Sequence, residues 1–194
     1  IMRNAARDSV AAGFANVIAI DTNVLVYAVN ENSPQHLSSR GFLEAVAGGQ
    51  IPACVFPQNL LEFYSVVTDP RRVPCPLSPK QAMGEIAKLR TMIPVVPPTE
   101  GSMDILADLV SPVGPKGPDT YDTFIVAQMK GAGVAVICTY NIRDFEEFSV
   151  RAATPEQIMV RLGVSQDGPD LVHDRPLDTG DPIHETVTMK RKSP

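Results

Sequence analysis

The chain has 194 residues, 44% of them hydrophobic and 20% charged, a composition that is typical of a globular domain and excludes a largely disordered chain. Its 17 basic and 22 acidic residues give a net charge of −5, which disfavours a protein that coats long nucleic acid by neutralising phosphates. The three cysteines are far apart and only three histidines accompany them. Neither a disulfide framework nor a zinc site is therefore expected, and a reducing cytoplasm fits best.

Residues 1–16 are predicted to be an N-terminal extension. An apolar stretch over residues 10–20 follows two arginines, but Asn16 interrupts it and no convincing small-residue cleavage site comes after it. We therefore interpret its second half as a strand and not as part of an export signal. No window approaches the roughly 20 continuous apolar residues of a membrane-spanning helix, so we expect a soluble protein that contacts no membrane.

The first predicted elements alternate between strands and helices. Residues 17–20 form a short, fully apolar run of the kind found in central parallel strands. Thr22 is placed to cap a helix over residues 23–28, and a second helix is predicted over residues 34–47. A strand-like run at residues 51–55 follows.

The third predicted helix begins at Pro57, which fits a first turn, and continues to about Thr68. Its apolar residues are too numerous for a narrow stripe, so we expect this helix to be well buried. Glu62 lies among them, and an acidic side chain is rarely buried without a partner such as a metal ion.

The middle of the chain is predicted to be mostly helical. Ser78 is placed to cap a helix, a short extended piece is expected near residues 95–96, and another helix runs over about residues 100–110. Residues 111–118 contain three prolines and two glycines, which predicts a loop.

A further helix and strand close the predicted domain. The helix over residues 121–130, with Asp119 or Thr120 as its cap, leads into an apolar strand at residues 134–138. A last helix begins after Thr154 and fades after residue 162.

The remaining residues, 165–194, are polar and rich in acids, and they show no apolar period, which predicts a poorly ordered tail. The strands and helices before them predict one α/β domain over residues 17–164, a parallel β-sheet with helices on both faces.

Polar clusters follow two of the predicted strands, at Asp21 to Asn23 and at residues 139–144. Ligands of parallel sheets bind beyond the carboxyl ends of the strands, so these clusters are candidates to converge with Glu62 and Asp122. Each acid alone also has a plainer interpretation, because aspartates often cap helices or lie in turns.

Four strings in a fixed order carry a more specific signal. They are Ile20-Asp21-Thr22-Asn23-Val24-Leu25-Val26-Tyr27, Asn59-Leu60-Leu61-Glu62-Phe63, Tyr121-Asp122-Thr123-Phe124-Ile125-Val126-Ala127 and Thr139-Tyr140-Asn141-Ile142-Arg143-Asp144-Phe145. Together they resemble the PIN-domain family, and within it the VapC-type toxins of bacterial toxin–antitoxin pairs. The resemblance covers about residues 17–162 and implies a three-layer α/β/α fold.

The resemblance also implies an endoribonuclease that depends on Mg²⁺ or Mn²⁺ and hydrolyses RNA phosphodiester bonds. The acidic quartet of the family falls on Asp21, Glu62, Asp122 and Asp144, which would be both catalytic and metal-binding. Asn141 occupies a position where other members often have a further aspartate, so either Asn141 or Asp144 contacts the metal. Carboxylate oxygens suffice for such an ion without cysteine or histidine.

Other matches to the family are auxiliary. Asn23 and Thr139 match polar positions near the site, and Asp119 is a candidate outer acid. The resemblance implies an antitoxin partner and a homodimer in the cytoplasm.

Substrate contacts have to come from outside the acidic pocket. Arg143 is the best candidate for a phosphate contact, with Arg71, Arg72 and Lys116 as further ones. The chain has no tryptophan and its aromatic residues fit a core, so no broad base-stacking platform is expected.

Three other classes of enzyme lack their signature residues in this sequence. A haloacid-dehalogenase-like phosphatase needs a second acid two residues after the first, where this chain has Asn23. Dinucleotide-binding and P-loop enzymes need glycine-rich or GKS/GKT signatures that do not follow residue 20. A non-catalytic binding module and a PIN nuclease that processes RNA without an antitoxin remain as alternatives.

Overall fold

The computed structural model describes residues 16–164, with the exception of the Val113 side chain. Its four strands are β1 (Ile18–Ile20), β2 (Ala53–Cys54), β3 (Val136–Cys138) and β4 (Arg151–Ala153). They form one sheet in the order β2-β1-β3-β4, and every pair in it is parallel. The expectations for the N-terminal extension before Asn16 and for the tail from residue 165 lie outside the described residues.

Seven α-helices surround the sheet within residues 16–164. They are α1 (Thr22–Val29), α2 (His36–Ala47), α3 (Pro57–Val67), α4 (Pro79–Met92), α5 (Ser102–Val113), α6 (Asp119–Ala132) and α7 (Pro155–Leu162), and a 3-10 turn (Ile142–Phe145) precedes β4. None of the helices in this range is both long and apolar enough to cross a membrane.

The alternation of side chains along β1 divides the core into two layers. Ile18 and Ile20 point to one face of the sheet, where they pack with buried residues of α1 to α4 and α7. Ala19 points to the other face and packs with buried residues of α6 and with Phe145 of the 3-10 turn. The predicted α/β architecture with helices on both faces is confirmed.

The strand β4 was not predicted. Its residues, Arg151–Ala153, contain no branched apolar side chain, so the short run does not match the composition of a strand. Backbone pairing with β3 defines it, since the Arg151 amide donates to the Ala135 carbonyl and the Thr139 amide donates to the Ala153 carbonyl, both at 2.9 Å.

Two predicted boundaries near the prolines were wrong. Helix α5 continues through Pro112, where a loop was predicted, and it ends at Gly114, whose φ of 61° favours glycine. Pro112 removes a single backbone donor in the exposed last turn, so the helix tolerates it. Helix α6 begins at Asp119 after Pro118, so neither Asp119 nor Thr120 caps it from outside.

Candidate active site

Asp21 lies at the carboxyl end of β1, in the centre of the sheet. The backbone holds it in place, because its amide donates to the Cys138 carbonyl at the end of the neighbouring β3 at 3.0 Å. Its side chain is 6% exposed and caps α1, with Oδ1 accepting from the Thr22 amide at 2.6 Å. This cap was predicted only as the plainer interpretation of Asp21, and Thr22 proves to be the first helical residue.

Two polar side chains converge on the other oxygen of Asp21. Oδ2 accepts from the Thr139 hydroxyl at 2.6 Å and from Asn23 Nδ2 at 2.8 Å. Asn23 Nδ2 also lies 3.0 Å from Thr139 Oγ1, and its Oδ1 accepts from the Tyr140 amide at 3.3 Å. Three of the roughly four lone-pair positions of the Asp21 carboxylate are thereby used, which leaves one on Oδ1 for a further ligand.

A chain of hydrogen bonds positions Glu62 beside the same helix. The Thr22 hydroxyl donates to Glu62 Oε2 at 2.8 Å, and Asn59 Nδ2 donates to Thr22 Oγ1 at 3.3 Å. Asn59 is fully buried and also accepts from the Phe56 amide at 3.0 Å, so it closes the first turn of α3. Glu62 is therefore oriented by a buried polar relay that links α3 to α1.

The prediction that α3 is well buried was wrong on the face that carries Glu62. Leu61 is 73% exposed and Glu62 is half-buried, so Glu62 borders the solvent and is not enclosed by apolar neighbours. The difference arises because α3 packs only through residues such as Leu60, Phe63 and Val67, while the opposite face of the helix borders the open site.

The pKa values of Asp21 and Asp122 are raised by burial and by neighbouring acids. Burial raises the pKa of Asp21 to about 6, and the charges of Glu62 and Asp144 add to the rise although two hydrogen bonds oppose it. Burial also raises the pKa of Asp122 to about 7, with further contributions from the charges of Asp21, Asp144, Glu62 and Asp119. The fold thus brings together side chains from four separate elements.

Asp122 and Asp144 lie on two different elements, the first turn of α6 and the 3-10 turn before β4. Asp122 is half-buried in the first turn of α6, beside Thr123, whose hydroxyl donates back to the Asp119 carbonyl at 2.9 Å. Asp144 is exposed on the 3-10 turn, which the buried ring of Phe145 anchors in the core. The charge of Asp144 acts on both Asp21 and Asp122, so these three acids lie near the carboxyl end of β1.

The donor chemistry of this cluster fits a hard divalent cation. Its ligands would be carboxylate oxygens. Burial, and to a smaller extent the charges of neighbouring acids, raise the pKa values of Asp21 and Asp122, and a bound cation would offset both effects by stabilising the ionised carboxylates. Within residues 16–164, no three aspartate, glutamate, histidine or cysteine side chains are close enough together in this structure to hold one ion. Binding of a cation would therefore require these side chains to draw together.

Three other predicted site residues are exposed around the acidic cluster. Asn141 is exposed, and its backbone amide donates to Thr139 Oγ1 at 3.0 Å. Arg143 is exposed on the 3-10 turn, one residue from Asp144. Asp119 is exposed in the first turn of α6, where its charge acts on Asp122.

The basic residues of the connector after α3 are not part of the cluster. The Arg71 guanidinium is paired with Asp69 at 2.8 Å on an exposed surface, and this pair lowers the pKa of Asp69 to about 2. Arg72 and Lys116 are exposed. Of the four predicted phosphate contacts, only Arg143 is next to a residue of the acidic cluster.

Three residues near the site were not predicted. Gln58 Nε2 donates to the Tyr121 carbonyl at 2.9 Å, and Gln128 Nε2 donates to Gln58 Oε1 at 3.2 Å. Tyr121 is 62% exposed, although the aromatic residues were predicted to be in the core. Only its position beside Asp122 in the sequence would have indicated that it borders the site.

Comparison with known proteins supports the same family. The sequence model of the PIN domain matches residues 18–150. The chain belongs to the PIN domain family. Ribonuclease VapC48 of Mycobacterium tuberculosis H37Rv is 30% identical to this PIN domain protein over 130 residues, which are 66% of this chain and 89% of that relative.

Solved structures agree with the fold. A chain of VapBC2 from Rickettsia felis, bound to a DNA fragment of its promoter, matches with a TM-score of 0.55 and 16% identity and covers 71% of this chain and 98% of its own length. A chain of DNA-bound VapBC from Salmonella typhimurium matches with a TM-score of 0.54 and 20% identity over 72% and 98%. At these identities the likeness shows the fold, which is the predicted PIN-like three-layer arrangement.

Proposed function

We propose that this PIN domain protein is a divalent-metal-dependent endoribonuclease and the toxin of a VapBC-type pair. The observation that carries the proposal is the acidic cluster, in which burial and then the charges of neighbouring acids raise the pKa values of Asp21 and Asp122. The similarity to a relative named as a ribonuclease supports RNA as the substrate. The VapBC complexes among the structural neighbours support an antitoxin partner.

The residues that would hold the cation are Asp21, Glu62, Asp122 and Asp144. Bound Mg²⁺ or Mn²⁺ would supply an acidified water and would neutralise charge on the scissile phosphate. Asn23 and Thr139 keep the Asp21 carboxylate in one orientation and leave one lone-pair position of Oδ1 for the cation, and Thr22 orients Glu62 through Oε2. In this proposal Asp144 provides the last acid, because its charge acts on both Asp21 and Asp122, and Asn141 keeps the turn in place.

A groove on the α1, α2 and α4 side is the proposed antitoxin site. It encloses about 570 Å³, its lining includes Val29, Leu43, Leu77, Leu89 and Met92, and charged side chains of α2 and α4 form its rim. An apolar groove with charged edges is suited to an amphipathic helix. The antitoxin of the pair would place its apolar face there.

The groove proposal has a matched test on one helix. Met92 lines the groove and is 39% exposed, whereas Met83 is 55% exposed on the same helix and does not line it. Met92→Glu should weaken capture of a co-expressed antitoxin, Met83→Glu should not, and RNA cleavage should be unchanged by both. Equal capture by all three proteins would contradict this site.

The proposal also includes a homodimer in the cytoplasm, where the RNA substrate is found. Sedimentation at micromolar concentration should show a dimer, and a strict monomer would remove this part of the proposal. Neither result bears on the cleavage chemistry.

The activity is tested by incubating the purified protein with total bacterial RNA, with Mg²⁺ or Mn²⁺ or with excess EDTA, and by mapping new 5′ ends. Discrete cleavage that needs the metal and that Asp21→Asn abolishes is expected. RNA bound without cleavage would favour the non-catalytic binding module. Cleavage without growth arrest on expression, and without a small antitoxin gene next to the toxin gene, would favour a nuclease that processes RNA.

A further inference from the structure

Tyr121 is an exposed aromatic residue that directly precedes Asp122 of the acidic cluster in the first turn of α6. Its side chain is 62% exposed, whereas the other aromatic side chains described in residues 16–164 are buried or half-buried. The phenylalanines at 42, 56, 63 and 145 are almost completely buried in the core. Among the aromatic side chains of residues 16–164, only Tyr121 is mostly exposed, and it is adjacent in sequence to an acid of the candidate site.

The backbone of Tyr121 has a fixed place relative to α3. Tyr121 precedes Asp122 in the first turn of α6, and its carbonyl accepts from Gln58 Nε2 at 2.9 Å. Gln58 lies on α3 one helical turn before Glu62, on the same face. This hydrogen bond therefore joins α3, which carries Glu62, to α6, which carries Asp122, at the backbone of Tyr121.

A buried residue fixes the rotamer of Gln58. Gln128 is 1% exposed, and its Nε2 donates to Gln58 Oε1 at 3.2 Å. Because Tyr121 presents a carbonyl, Gln58 has to direct its NH₂ group toward α6, and Gln128 then has to direct its own NH₂ group toward Gln58. The two amides thus hold the first turn of α6 against α3.

The negative charge of the acidic cluster indicates which part of an RNA the Tyr121 ring would contact. The acids whose charges act on the neighbouring Asp122 repel every phosphate group that the cation does not hold, so further affinity beside the cation site is best supplied by an uncharged part of the substrate. A nucleobase is such a part, and it stacks on an aromatic face whatever its sequence. Leu61, 73% exposed and next to Glu62, adds apolar surface on the neighbouring helix.

We propose that Tyr121 is a substrate-binding residue on whose ring an unpaired nucleobase of the RNA stacks, next to the scissile phosphodiester. This inference rests on the proposed ribonuclease function and specifies how that site holds its substrate. It implies that the cleaved bond lies in a single-stranded segment or a loop, since a base within a duplex cannot leave its neighbours without loss of stacking.

The test compares three variants on one RNA. The substrate is a synthetic oligonucleotide that spans a cleavage site mapped with the wild-type protein on total bacterial RNA. The variants are Tyr121→Ala, Tyr121→Phe and the control Met103→Ala, which removes an apolar side chain of equal 62% exposure on α5. A second set of substrates replaces the nucleotide on either side of the cleaved bond with an abasic ribose.

We expect Tyr121→Ala to raise KM about tenfold with little change in kcat, because stacking on one base typically contributes a factor of this size. Tyr121→Phe and Met103→Ala should behave like the wild type. Of the two abasic substrates, the one that lacks the stacked base should raise the KM of the wild type by a similar factor relative to the intact RNA. The same substrate should leave the KM of Tyr121→Ala nearly unchanged. The unfolding temperatures of all variants should agree, since both side chains are exposed.

Several outcomes would overturn the inference while the ribonuclease function stands. An unchanged KM for Tyr121→Ala, a Tyr121→Phe variant as weak as Tyr121→Ala, or the same abasic effect in both proteins would each do so. A Tyr121→Ala protein that changes from dimer to monomer in sedimentation would assign the ring to a contact between copies. No cleavage by the wild-type protein would instead overturn the proposed function and this inference together.

Discussion

Asp122 is the residue at which the electrostatic argument can be tested most sharply. Its pKa rises from 3.8 to about 7, first through burial and then through the charges of Asp21, Asp144, Glu62 and Asp119. Asp122→Asn keeps the shape of the side chain and removes the charge. We expect this substitution to stabilise the metal-free protein at pH 8, although it should abolish cleavage.

The size of the effect follows from the pKa. At 1.36 kcal/mol for each pKa unit, the full rise corresponds to about 4 kcal/mol. Because Asp122 is only half-buried, solvent screening reduces this to about 2 kcal/mol. The positive end of α6 favours the charged form by roughly 0.3–1 kcal/mol, so a net gain of about 1–2 kcal/mol is expected.

The gain should depend on pH. A carboxyl group with a raised pKa binds its proton more tightly in the folded state, so its contribution to stability is fully present below pH 3.8 and is lost as the pH rises through about 7. At pH 8 the wild-type protein carries the unfavourable charge and Asp122→Asn does not. At pH 5 most of the folded protein keeps the proton, so the advantage of the variant should fall below about 1 kcal/mol.

The assay is urea unfolding in EDTA at pH 8 and at pH 5. Asp104→Asn is the control, because Asp104 is likewise a first-turn aspartate, exposed in α5, and is not among the charges that raise the pKa of Asp122. That control should be neutral or slightly destabilising, as loss of a charge at a helix N-terminus is. The reasoning is refuted if Asp122→Asn is no more stable than the wild type at pH 8, or if its gain is the same at both pH values.

Three further predictions concern Glu62, the hydrogen bond from Thr139 to Asp21, and the N-cap of α4. Glu62→Gln should reduce both cleavage and the rise in unfolding temperature on Mn²⁺ addition, whereas the exposed control Glu44→Gln should leave both unchanged; equal rises for all three would remove Glu62 from the site. Thr139→Val should destabilise the metal-free protein at pH 8 by about 1–3 kcal/mol, since it leaves Asp21 without its 2.6 Å donor, and an unaltered urea midpoint would argue against that bond. Ser78→Ala should lower the stability by about 1 kcal/mol in the same assay by removing the N-cap of α4, and no loss would mean that the capping box is dispensable.

The parts of the fold that were predicted have strong local signals. Strands β1 and β3 are short apolar runs that end at polar residues, and Ser78 and Thr154 cap helices with the residues that a capping box requires. The acidic cluster was predicted for a related reason. Asp21 and residues 139–144 follow strand ends, which the topology of a parallel sheet brings together, whereas Glu62 lies within α3 and the resemblance to the family assigned it to the quartet.

The parts that were missed depend on tertiary contacts. Strand β4 exists because β3 supplies its hydrogen-bond partners, and its own residues carry no strand signal. The exposure of Leu61 and Tyr121 depends on which face of each helix borders the site, and a run of apolar residues does not reveal this. The Gln58–Gln128 pair joins residues 70 positions apart and has no local pattern at all.

One titration tests the central claim, that the clustered carboxylates bind the cation that RNA cleavage requires. The rate of RNA cleavage and the unfolding temperature are measured at increasing Mn²⁺ for the wild type and for Asp122→Asn, both starting from EDTA-treated protein. We expect both quantities to rise together for the wild type, with no cleavage in EDTA, and neither to rise appreciably for the variant. Full cleavage in EDTA, or cleavage by Asp122→Asn at the wild-type rate, would contradict the claim.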